Sequence, residues 1–238
     1  MKILALAAAL ACAAGLSAEV QKKDIEIKAP DGVTLKGNYF SSGRSGPAML
    51  LIHQCNMDRH AWDGLAMDLA SNGINVLTYD NRGFGESGGS KSFDAEARKK
   101  WPGDVDAAYT VLLAQKGVDA TRTAVGGASC GVTMSSDLAA RRPEIKTLMI
   151  LSGQASDEAK AHIESDTALA VFGAASAGDT RAAQGIREAE GASKNPRSVL
   201  KIYEGTEHGV PMFAKHSELE PMIVVWLKTQ LSVTGGTR

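Results

Sequence analysis

Gly127-Ala128-Ser129-Cys130-Gly131 decides how this chain is read, because it joins a run that reads as a buried strand, Thr121 to Ala128, to one that reads as a helix, Val132 to Ala140. A serine on so sharp a strand-to-helix turn has its hydroxyl pushed above the sheet edge. The positions two before and two after it must be small, or their side chains would strike the tight backbone. Gly127 and Gly131 meet that demand. The turn also presents the Cys130 N–H, at a helix N-terminus, toward the place where an oxyanion would form. By themselves the five residues also fit a glycine-rich strand end with Ser129 as an ordinary helix cap.

On either side of this turn, continuous apolar runs of strand length alternate with amphipathic stretches. The other buried strands are Ala48 to His53, Ile74 to Asp80, Lys146 to Ser152, Thr167 to Ala174 and Ser198 to Glu204. Helices are expected around Ala61 to Ala70, Val105 to Gln115, Ala155 to Glu164, Ala182 to Glu190 and Ser217 to Leu231. That alternation predicts an α/β fold with a mostly parallel, buried sheet and helices on both faces. Ahead of it, Ile25 to Lys28 and Thr34 to Phe40 flank Pro30-Asp31-Gly32, an antiparallel hairpin signal. Only a short helix fits between Gly153 and Thr167, which leaves no room for a lid domain.

An acid and a histidine follow the serine in the order Ser, Asp, His, each just past an expected strand. His208 lies on a loop ahead of the final helix, where an imidazole can reach over Ser129 as general base. His53, His60, His162 and His216 are placed less well, and a solvated loop histidine is the plain alternative for His208. Asp179 is the preferred acid: Asp157 falls in a helix and Asp166 ahead of the next strand. Its ordinary alternative is to cap the helix that starts near Thr180.

The sequence resembles the α/β-hydrolase superfamily across nearly the whole of residues 19–238. Leu50-Leu51-Ile52-His53 resembles the strand before that family's oxyanion loop, and Tyr79-Asp80-Asn81-Arg82-Gly83-Phe84-Gly85-Glu86-Ser87 a second landmark after the next parallel strand. Tyr203-Glu204-Gly205-Thr206-Glu207-His208-Gly209 resembles the loop that carries the catalytic histidine. The resemblance implies a Ser129, Asp179, His208 triad, with oxyanion donors from Cys130 and from Gln54 or Cys55. It assigns Asp80, Arg82 and Gly85 loop-ordering work. The chain departs from a common family pattern at Gln54, where glycine is usual, and that side chain is expected to narrow the pocket and to offer substrate a polar contact. Dienelactone hydrolases, a lidless branch, use cysteine at the elbow. Here Cys130 as nucleophile would put the β-branched Val132 at a crowded position.

Length and composition bound the rest. With 238 residues, 44% of them hydrophobic and 22% charged, the chain fits one globular domain, 19–238. The formal charge of −1 is mixed along the chain, with no basic stripe for nucleic acid. Lys2, the alanine-rich run from Ile3 and the small-residue end at Ala18 read as a signal peptide over 1–18, so export to a periplasm or the exterior is expected. No later run is long and apolar enough to span a membrane. Loss of the signal removes Cys12 and leaves Cys55 and Cys130 in an oxidising compartment, where a disulfide between them is an open expectation. His53, Cys55 and His60 match no familiar zinc spacing, so neither metal nor cofactor is implied.

The expected function is a serine hydrolase that cleaves carboxylic esters of small molecules through an acyl-enzyme on Ser129. A lactone or dienelactone hydrolase, or a peptidase, could use the same residues. An exported binding protein on the same fold is the non-catalytic alternative.

Overall fold

The computed structural model describes residues 19–90 and 95–232. The expected signal peptide lies outside them. A single eight-stranded sheet runs through the described residues in the order β1-β2-β4-β3-β5-β6-β7-β8. β1 (Gln21–Lys28) and β2 (Thr34–Ser41) form the expected hairpin, with Lys28 opposite Thr34. Its turn closes on Gly32, whose φ of +84° suits glycine. β2 runs antiparallel to β4 (Asn75–Tyr79), and every pairing from β4 through β3 (Gly46–Ile52), β5 (Val118–Ala128), β6 (Thr147–Leu151), β7 (Ala170–Ser176) and β8 (Val199–Tyr203) is parallel.

β3, β4, β6 and β7 are buried along their whole length, which is why each reads as an unbroken apolar run. One core forms where α2 (Ala95–Leu113), α3 (Cys130–Arg141), α4 (Asp157–Ser165) and α5 (Thr180–Gly191) place Tyr109, Leu138, Ile163 and Ile186 against one face of the sheet. On the other face, α1 (Asp63–Ser71), α6 (Met212–Lys215) and α7 (Leu219–Gln230) pack Leu69, Met212 and Leu227. Helices therefore cover both faces. α4 alone connects β6 to β7, as the absence of room for a lid demanded. Among the described residues no helix is long and apolar enough to cross a membrane.

Strand ends are displaced by a few residues, and two helices depart further from expectation. α2 begins at Ala95, ten residues ahead of Val105, and runs through Pro102. Proline argues for a helix start there, but Ala97 and Asp104 are buried and Trp101 packs against the core, so tertiary contacts outweigh the local preference. α6 has four residues, too few to show a helical period.

The strand order reverses beside β3: the chain leaves it outward to β4, then crosses back to β5. Ligand sites of open α/β sheets form outside the carboxyl ends of strands at such a reversal. Buried charge orders the loop after β4. Asp80 accepts the main-chain N–H groups of Arg59 and Glu86, each at 2.8 Å, and pairs with the Arg59 guanidinium. A Cβ on Gly85 would fall 2.2 Å from the Asp80 carboxylate, which accounts for the glycine. Arg82 clasps Asp104 at 2.6 and 2.9 Å and Asp31 at 2.8 and 3.0 Å.

Candidate functional site

The turn between β5 and α3 holds Ser129 at φ 54°, ψ −117°, a region that non-glycine residues seldom occupy. Its N–H donates to Leu151 O at 2.9 Å, and its own carbonyl accepts from Val132 N at 3.0 Å, so neighbouring structure fixes the strained residue. Both glycines are obligatory. A Cβ on Gly127 would lie 2.1 Å from Gly131 O, and one on Gly131 would lie 2.4 Å from Ile52 O. The Ser129 side chain makes no capping bond to α3, so the hydroxyl is not spent as a helix cap.

Asp179 and His208 meet. The Asp179 carboxylate accepts from His208 Nδ1, and it makes no capping bond to α5 although it stands at that helix's N-terminus. With Nδ1 donating to the acid, Nε2 carries the lone pair that can take a proton. The histidine loop is tied down on several sides: Ser176 Oγ donates to Glu207 O at 2.8 Å, Gly178 N to Gly205 O at 2.8 Å, and Val210 N to Gln54 Oε1 at 2.9 Å. Ser129, Asp179 and His208 line one open cleft of about 240 Å³ together with Ser152, Gly153 and Arg181. Among the described residues no hydrogen bond joins Ser129 to His208, and such bonds commonly tighten only when substrate is in place. The rival acids are engaged elsewhere: Asp157 pairs with Lys160 at 3.0 Å and Asp166 with Lys146 at 2.6 Å. So are the rival histidines, with His60 3.1 Å from Asp63, His162 3.8 Å from Asp166 and His216 stacked on Tyr203.

The loop after β3 approaches the elbow from the other side. Cys55 and Cys130 form a disulfide with their Cα atoms 5.8 Å apart, so the bond left open by the sequence is made. Of the residues weighed for a zinc site, Cys55 is thus bonded to sulfur and His53 is fully enclosed. His53 donates from Nδ1 to Gln54 O at 2.7 Å and accepts the Asn81 N–H on Nε2 at 2.9 Å. With the Gln54 carbonyl turned to His53, the Cys55 N–H, trans to it across the same peptide plane, points the opposite way. The Gln54 side chain corrects an expectation. It is 1% exposed, its Oε1 accepts Val210 N and its Nε2 donates to Asn56 at 2.7 Å, so both ends brace loops, and Gln54 lines neither the cleft nor the cavity beside it.

Burial pushes the His53 imidazole below its ordinary value of 6.5, against weaker opposing pulls from Gln54, Asp80 and Asp58. Below that pH the unfolded chain takes up a proton that the folded chain refuses. Stability contributed by neutral His53 is therefore complete above about pH 6.5 and declines as pH falls, by up to about 1.4 kcal/mol per pH unit. Urea midpoints at about pH 7.5 and about pH 5.5 check this: the drop is expected to be larger for wild type than for His53→Gln, and equal drops would refute it.

Ser152 borders the cleft and was not singled out from the sequence; its side chain is enclosed, with Oγ donating to Met212 Sδ at 3.3 Å. The residue follows β6 directly with φ 49°, donates its N–H to Ala174 O at 2.9 Å, and leads into Gly153, where a Cβ would fall 2.5 Å from Ser129 O. Its position at a strand's carboxyl end was the available signal. A second cavity, of about 440 Å³, adjoins the cleft through Cys130 and Thr133. Trp101, Val105 and Met134 supply its apolar wall, and Arg141 lies among its charged lining residues.

A family model for the serine aminopeptidases, S33 (Hydrolase_4), matches residues 44–210, a stretch that holds Ser129, Asp179 and His208. The chain belongs to the serine aminopeptidase S33 family. An uncharacterized protein of Mycobacterium tuberculosis is 37% identical to this S33 chain over 128 residues, covering 51% of the chain and 42% of the relative. The chain spans less than half the length of the curated relatives it matches. An esterase of Pyrococcus furiosus superposes with a TM-score of 0.72 at 18% identity, over 89% of this chain and 93% of that one. A dienelactone hydrolase of Anabaena variabilis gives 0.67 at 15%, over 89% and 98%. At these identities the likeness speaks to the fold: this S33 chain has the α/β-hydrolase architecture expected from its sequence.

Proposed function

We propose that the protein is an exported serine hydrolase that cleaves carboxylic esters through an acyl-enzyme on Ser129. The observation that carries this reading is the strained Ser129 sharing one cleft with an imidazole whose Nδ1 is already committed to Asp179. Ser129 Oγ attacks the ester carbonyl while His208 Nε2 takes its proton, and Asp179 holds the tautomer and stabilises the imidazolium. The carbonyl oxygen becomes an oxyanion facing the N–H groups of Cys130 and of Cys55 or Gln54. Collapse expels the alcohol, protonated by His208. Water, deprotonated by the same imidazole, then releases the acid and restores Ser129. A substrate's apolar portion has room in the 440 Å³ cavity beside the cleft. The disulfide accords with export, since such bonds persist in oxidising compartments.

The family's description favours a second reading, an aminopeptidase. A substrate ammonium calls for a carboxylate beside the scissile bond; in the cleft of Ser129 the lining acid is Asp179, already paired with His208, and Arg181 adds a cation, while Asp137 lines the adjoining cavity. Rates on p-nitrophenyl acetate and butyrate against alanine p-nitroanilide decide between the two. Esters are expected to turn over at least about 100-fold faster in kcat/KM, a transition-state difference of about 2.7 kcal/mol. Faster anilide cleavage would replace the esterase reading with the peptidase one.

A further inference from the structure

The two main-chain donors proposed for the oxyanion come from segments far apart in the chain, and the disulfide joins them across a sequence separation of 75. Cys130 is held by α3 and by the hydrogen bond from Ser129 N to Leu151 O. Cys55 belongs to no helix or strand. Its neighbours are anchored, Gln54 through His53 and Val210, and Met57 through its N–H to Gln54 O at 3.0 Å. Among the described residues Cys55 makes no hydrogen bond of its own: the Gln54 carbonyl, held by His53 and Met57, orients the peptide before it, and the bridge ties it to the elbow. The bridged Cys130 also lines both the nucleophile's cleft and the larger cavity beside it.

We propose that the Cys55–Cys130 disulfide is a positioning clamp for the oxyanion hole, holding the loop's donor in register with the donor that follows the nucleophile. The clamp rests on the reading of Ser129 as nucleophile. Reactivity of this kind is sensitive to displacements of about 1 Å, so a freed loop lowers transition-state stabilisation while leaving ground-state binding nearly intact. Reduction by a dithiol breaks the S–S bond. Two electrons and two protons pass to the cysteine pair, and the reagent closes into its own cyclic disulfide.

The test compares oxidised wild type, wild type reduced and then reoxidised, and Cys55→Ser with Cys130→Ser. Each is checked for folding, for Ser129 labelling by a fluorophosphonate, for kcat and KM on p-nitrophenyl acetate, and for inhibition by a trifluoromethyl ketone. Ser129 adds to that ketone to form an oxyanion, with its proton passing to His208. Loss of the bridge is expected to lower kcat about 10- to 100-fold and to weaken ketone binding by a similar factor, while KM moves less than about 3-fold and Ser129 still labels. Reoxidation restores kcat. If the folded variant keeps its kcat and ketone affinity and loses only melting temperature, the bridge is a stability staple and the clamp is wrong. If the variant does not fold, the reduced wild type decides: kcat lost while the reduced protein stays folded and regained on reoxidation supports the clamp, whereas kcat unchanged on reduction, or lost only with unfolding, overturns it. An oxidised wild type that neither labels nor hydrolyses overturns the reading of Ser129, and the clamp with it.

Discussion

Ser129→Ala is expected to lower kcat for short esters by roughly 10⁴- to 10⁶-fold, with KM nearly unchanged. The size follows from the proposed covalent route: in it, loss of Oγ abolishes the acyl-enzyme, and what survives is the help that oxyanion donors and binding give to direct attack by water. His208→Ala should cost a similar factor, since the hydroxyl is a weak nucleophile until a base takes its proton. The double variant should be scarcely worse than either single one, because the two groups act in one step. Losses that simply multiplied would mean that they act independently. Stopped-flow and steady-state measurements on p-nitrophenyl acetate give all three values. The substitution at 129 should leave the fold intact, as the strained turn is held by main-chain bonds and by Gly127 and Gly131, not by the serine side chain.

Arg82→Met should carry the largest stability loss, about 3 to 5 kcal/mol. Arg82 and Asp104 are 5% and 2% exposed, and the arginine supplies both charge-assisted hydrogen bonds to that carboxylate. Hydrogen bonds to Asp104 hold the guanidinium's pKa above its already high value. Removing the cation strands a buried anion, and this dominates the loss. For a chain of this size the melting temperature should fall by about 6 to 20 °C. Arg82→Met with Asp104→Leu should recover much of it, because an apolar pair replaces the buried charged one and the partly exposed Asp31 keeps Lys100 at 3.1 Å. If the double variant were as unstable as the single one, the loss would belong to packing.

The elbow was legible because tight local geometry restricts residue type: no Cβ fits at 127 or 131, so the glycines announce the turn. Parallel strands buried on both faces were legible as apolar runs, with ends displaced by a few residues. Asp179 was favoured by its placement after β7, and its contact with His208 depends on β7 and β8 being neighbours, a long-range pairing that no local pattern encodes. The early start of α2 through Pro102 was hidden because burial of Ala97 and Asp104 outweighs a local helix breaker. Gln54 was misjudged for a similar reason. Nothing near it in sequence shows that Val210, 156 residues on, would claim its carbonyl oxygen. Ser152 carries no recognisable motif, and only the sheet brings it beside Ser129.

Every step proposed for this protein needs an activated serine at the end of β5. The most direct test is to label the folded protein with a fluorophosphonate and map the adduct by peptide mass, in wild type, Ser129→Ala and His208→Ala. Stoichiometric labelling of wild type at Ser129, none in Ser129→Ala and a rate reduced at least about 100-fold in His208→Ala is the expected result. A folded wild type that stays unlabelled, or that labels elsewhere, would contradict the account and leave a binding protein on a hydrolase fold as the better reading.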